Sequence, residues 1–200
     1  MNGHTLVLGA LWLGTASVCI CEQHRLRVVV FDYAEVPEVV MDSAVELGRQ
    51  VFQQAGVETS WFVCHHFVNS LENCVLPPAG IYMRVNVTQQ TSGLLSRNTE
   101  YLGWANVDTV VDRHPTAYAF YDCVRKLASE TGQSVSDVLA AVLVHEISHL
   151  LGLGHSNLGV MRANLGQLRQ TPVTWFTARQ TQQLHDGLSA LNGILLTRVP

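Results

Sequence analysis

The tightest constraint on this chain is a run of eleven residues, His145-Glu146-Ile147-Ser148-His149-Leu150-Leu151-Gly152-Leu153-Gly154-His155. It reads H-E-x-x-H-x-x-G-x-x-H. On a helix, His145 and His149 stand four residues apart, so both imidazoles leave one face and can grip one metal ion. Glu146 lies about 100° round the helix from His145, near enough to act on a water beside that metal without being a ligand. Gly152 can take the positive φ that ends a helix and lets the chain double back. His155 can then return as a third nitrogen ligand. Three neutral nitrogens around one Zn2+ leave a fourth position open for water, the arrangement of a catalytic rather than a structural zinc. A structural site would be closed by four protein ligands, and none of the five cysteines lies in or near the run. The bland alternative is a core helix that happens to carry two histidines. The full pattern arises by chance in fewer than about one shuffled chain in ten thousand, which decides for zinc.

The flanking sequence points the same way. Ser134 with Asp137 forms a helix-start signal, and Val138, Leu139, Ala140, Ala141, Val142, Leu143 and Val144 make residues 135–151 apolar on nearly every side. Such a helix must be buried. Burying two histidines and a glutamate on it is costly unless something binds them.

Leu26 to Phe31 is a β-branched run that reads as a buried first strand. Pro37 opens a helix to about Ala55, with Val40, Ala44, Leu47, Val51 and Ala55 as its core-facing stripe. Strands are expected at Val57 to Cys64, Ile81 to Val87 and Ala117 to Tyr121, with a short edge strand at Tyr101 to Ala105. A helix is expected from Asp122 to Glu130, and a last one from an N-cap at Thr177 to about Leu191. The expected class is α+β: a mixed twisted sheet backed by helices, with the site at its lower edge.

With 200 residues, 48% hydrophobic and 14% charged, one soluble domain with a substantial core is expected. The formal net charge of −4 gives no reason to expect nucleic acid as a partner. Residues 1–21 hold no Asp, Glu, Lys or Arg, and Leu6 to Ala16 are apolar, as in a secretory signal peptide. That leaves 22–200 as the working domain and predicts export to a periplasm or beyond. About fifteen apolar residues are short for a bilayer span, so no stable membrane insertion is expected after signal removal. Setting aside Cys19 and Cys21, export favours a bridge between Cys64 and Cys74 across the polar loop after the second strand, with Cys123 a buried free thiol. His65 and His66 read as exposed loop residues, and Asn86-Val87-Thr88, a glycosylation sequon by letters, lies in a strand.

The run at 145–155 resembles the signature of the metzincin metallopeptidases, and Met161, six residues past His155, is similar to the methionine turn of that family. The resemblance is sharp over residues 145–161. It implies a zincin-type fold and zinc-dependent hydrolysis of a peptide or protein substrate, with His145, His149 and His155 as ligands and Glu146 as general base. It also implies a peptide laid along an edge strand, here the segment with Tyr101, Gly103 and Trp104. The pocket after the scissile bond would be lined from the segment past Met161: Leu165, Leu168, Trp175 and Phe176, beside Arg162 and Arg169. A tyrosine used by some metzincins after the turn is missing from residues 162–170. A different zincin group takes its third ligand from a later glutamate, but Glu146 is the last glutamate here, leaving His155, His185 and Asp186. His185 and Asp186 fall on the last helix, so His155 is the expected ligand. The competing class is an exported binding module that keeps the fold and the zinc without catalysis.

Overall fold

The computed structural model describes residues 25–65, 74, 82–89, 101–106, 114–165 and 175–197. Five strands form one sheet: β1 (Arg25–Asp32), β2 (Glu58–His65), β3 (Met83–Thr88), β4 (Gly103–Asn106) and β5 (Thr116–Phe120). Their order is β2-β1-β3-β5-β4. All neighbours run parallel except β4, which pairs antiparallel with β5 at the edge. The expected mixed sheet is therefore present, and mostly parallel. The expected signal segment 1–21 lies outside the described residues, as does His66.

Among the described residues there are four α-helices: α1 (Glu38–Gln54), α2 (Tyr121–Thr131), α3 (Val135–Leu150) and α4 (Ala178–Thr197). The sheet offers Leu26, Val28, Val30, Met83, Val85, Val87 and Ala119 to the same core that α1, α2 and α3 fill. α3 is its axis, with every residue from Val138 to Ser148 buried, as an all-round apolar helix requires. The buried stripe of α1 runs through Met41, Ala44, Gly48, Val51 and Phe52, while Val40 and Leu47 are only half-buried. The stripe expected from sequence is thus rotated by about one residue, because Phe52 and Met41 carry more apolar surface inward. The last helix begins where expected, with a reciprocal cap between Thr177 and Gln180, and runs past Leu191 to Thr197.

Cys64 and Cys74 are joined by a disulfide. Cys123 is outside that bridge and half-buried on α2 rather than buried. His65 is likewise not an exposed loop residue: it ends β2 half-buried, with Nδ1 3.3 Å from the Asp32 carboxylate. Asp32, 1% exposed, also accepts the amides of Ala34 and Val36 and so fixes the turn from β1 towards α1. Asn86 is buried within β3, which makes its sequon letters only. Among the described residues no helix is long and apolar enough to cross a membrane.

Candidate metal centre

α3 carries His145 and His149 on its last turns and stops at Leu150. The stop is a Schellman motif: the Gly152 amide donates to the His149 carbonyl at 2.9 Å and the Leu153 amide to that of Ser148 at 3.0 Å. Gly152 supplies the positive φ, +85°, that this closure needs. The chain then turns back through His155. A short loop returns it again, closed by the Ser156 amide on the Met161 carbonyl at 2.8 Å. A 3-10 turn at Gly159–Met161 buries Val160 and Met161 beside α3.

The three histidines meet at their Nε2 atoms, which are 2.9 Å (145 to 149), 3.2 Å (149 to 155) and 3.3 Å (145 to 155) apart. Their Nδ1 atoms explain what that triangle is for. His145 Nδ1 lies 2.8 Å from the Val160 carbonyl, and His149 Nδ1 lies 2.7 Å from that of Leu153. A carbonyl only accepts, so both Nδ1 atoms carry the proton and both Nε2 atoms present bare lone pairs. Burial, together with the neighbouring imidazoles, pushes His145 down to about 4, and burial lowers His149 too, so both rings are neutral near pH 7. Two lone pairs facing each other at 2.9 Å repel unless a cation lies between them. Zinc at about 2.0–2.1 Å from each nitrogen sets tetrahedral ligands roughly 3.3 Å apart, close to the observed triangle. The residues fit the ion. Each locked Nδ1 also orients its ring, the usual support for a metal-bound histidine.

Glu146 is buried, 5% exposed, and burial raises its carboxyl to about 8. It faces the sheet edge at Gly103 of β4. The Phe120 amide donates to the Leu102 carbonyl, which sets the phase of the β4–β5 ladder. Trp104 and Asn106 therefore bond towards β5, and the amides and carbonyls of Gly103 and Ala105 point away from the sheet.

The other expected site residues are dispersed. Tyr101 is exposed beside β4, and Trp104 lies on the sheet face away from α3, tilted against Tyr118 at 5.7 Å. Phe176 points into the core, its ring 5.8 Å from that of Phe52. Trp175 and Leu165 line a cavity of about 280 Å³ with Leu47, Leu127, Val138 and Ala141. Arg162 donates to the Asn157 carbonyl, and Leu168 and Arg169 lie outside the described residues. His185, the rival ligand, is not with the other three: its Nε2 is 2.9 Å from the Ala55 carbonyl.

Two kinds of contributor leave little mark on the sequence. Backbone carbonyls such as Val160 and Leu153 leave no trace in side-chain letters. Gln180 of α4 is buried and ties down the His155 loop, donating to Ser156 Oγ at 2.9 Å and the Leu158 carbonyl at 3.1 Å. Its only sequence signal was Thr177-x-x-Gln180, a helix-start pattern.

No family model matches this chain, and no curated protein matches it. Among solved structures, archaemetzincin from Methanopyrus kandleri matches over 85% of this chain and 99% of that one, at a TM-score of 0.58 and 17% identity. The two chains share a fold.

Proposed function

We propose that this protein is an exported, zinc-dependent peptidase of the metzincin type. The observation that carries the reading is the triangle of Nε2 atoms on His145, His149 and His155, the first two of them bare, with a buried carboxyl next to it in sequence. Met161 supports it, being buried in the tight turn whose preceding carbonyl, that of Val160, holds His145. The disulfide suits an oxidising compartment and so supports export of 22–200 behind a signal at 1–21.

Zinc, when bound by the three histidines, supplies a Lewis acid that polarises a carbonyl and brings a water to reactivity near neutral pH. The remaining steps belong to the chain. An extended peptide pairs with the outward amides and carbonyls of Gly103 and Ala105, which fixes its scissile bond along β4. Glu146 accepts a proton as water oxygen bonds to the carbonyl carbon. It returns that proton to the amide nitrogen as the C–N bond breaks, leaving a carboxylic acid and an amine. Burial of Glu146 favours the acceptance, since a carboxylate whose pKa is raised by burial takes up a proton readily.

Digestion of a broad peptide library tests this. The zinc-loaded protein should cleave, the chelated protein should not, and Glu146→Ala should keep its zinc yet lose activity. Zinc-loaded protein that cleaves nothing would instead favour a binding module on the same fold.

A further inference from the structure

Gly103 of β4 meets α3 at the carboxyl of Glu146. A Cβ at Gly103 would stand 2.5 Å from Glu146 Oε1, 2.7 Å from its Cγ and 2.7 Å from the Tyr118 carbonyl oxygen. Real Cβ contacts stay beyond 3.0 Å. The position does not use glycine's conformational freedom, because Gly103 is not among the residues of positive φ. A strand glycine packs nothing and weakens its strand, and it typically marks a close approach of another group. Here that group is Glu146. Among the described residues nothing hydrogen-bonds the Glu146 carboxyl, so contact shape sets where it stands.

We propose that Gly103 is a positioning residue for the hydrolysis: the bare Cα of the edge strand is the seat against which the Glu146 carboxyl is held. This rests on the reading of Glu146 as general base. The strand that would align the peptide then also gauges the base, so both reacting partners take their place from one residue. An alanine at 103 keeps the outward amide and carbonyl and leaves the histidines untouched. What it displaces is the carboxyl.

The first test needs no activity. Thermal unfolding of the zinc-free protein is compared for wild type, Gly103→Ala, Glu146→Ala and the double variant. Gly103→Ala should lower Tm by at least about 4 °C, and by no more than about half as much in the Glu146→Ala background, where only the Tyr118 carbonyl still resists. Equal losses in both backgrounds overturn the proposal. If Gly103→Ala alone fails to fold, recovery of folding in the double variant supports it, and failure of both overturns it. The second test uses the zinc-loaded protein. Gly103→Ala should bind zinc within about threefold of wild type, with kcat down about tenfold or more and KM within about threefold. An unchanged kcat, or a KM rise that accounts for the loss, overturns it. Should the wild-type protein cleave nothing when loaded, the hydrolytic role falls with the reading it rests on, and the thermal cycle still decides whether Gly103 seats Glu146.

Discussion

His185 Nε2 lies 2.9 Å from the carbonyl oxygen of Ala55, which ties α4 to the end of α1 and holds that imidazole away from the other three. The three histidines that could hold a metal come together without it. His155→Ala should lower zinc affinity by roughly 100-fold or more, whereas His185→Ala should leave zinc stoichiometry at one and cost only stability. Competition titration against a zinc chelator reads both. Zinc lost from His185→Ala and kept by His155→Ala would remove the proposed ligand set.

Gln180→Leu probes how the third histidine is held. The variant removes the donors to Ser156 Oγ and the Leu158 carbonyl while preserving bulk. With the loop loosened, zinc affinity should fall roughly tenfold while His145 and His149 stay in place. An unchanged affinity would mean that the bond between Ser156 and Met161 suffices to hold the loop.

The metal-free protein should show two opposed pH dependences. Glu146 is raised from 4.5 to about 8, so its contribution is full below about pH 4.5 and is lost as pH rises through about 8. His145 is lowered from 6.5 to about 4, so its contribution is full above about pH 6.5 and is lost as pH falls through about 4. Glu146→Gln should abolish the first slope and leave the second. Urea unfolding with chelator at pH 5, 6.5 and 8 should show the variant gaining on wild type at each step, and a constant difference would contradict the assignment.

Gly187→Ala sets two known effects against each other. Alanine favours a helix by about 1 kcal/mol over glycine. Yet a Cβ at Gly187 would overlap the Leu151 carbonyl at the end of α3. Overpacking of this kind costs about 1–3 kcal/mol, so the net change should be destabilising. A rise in the urea midpoint would show that α4 can shift off α3 freely.

Much of this was legible in the letters because the site is local. His145, Glu146, His149, Gly152 and His155 lie within one helix end and its reversal, where spacing fixes direction. The bridge of Cys64 to Cys74 and the caps at Ser134 and Thr177 were legible for the same reason. What spans long sequence distances was not. Gly103 was read as part of a peptide-binding edge, but its contact with Glu146 exists only once β4 and α3 are packed. Phe176 was read as a pocket wall, and it packs on Phe52 because an aromatic letter does not say which side of its loop is the core. His65 looked like a loop residue because its partner, Asp32, is a strand away.

A sheet edge with free main-chain donors usually invites a second copy of its own chain to pair there. β4 spans four residues, and only Gly103 and Ala105 turn their amides and carbonyls outward. At about 1 kcal/mol net per bond, so short a seam cannot offset the several kcal/mol that association costs. Main-chain bonds at this edge therefore do not seed polymers by themselves. Whatever docks there needs a second anchor to remain.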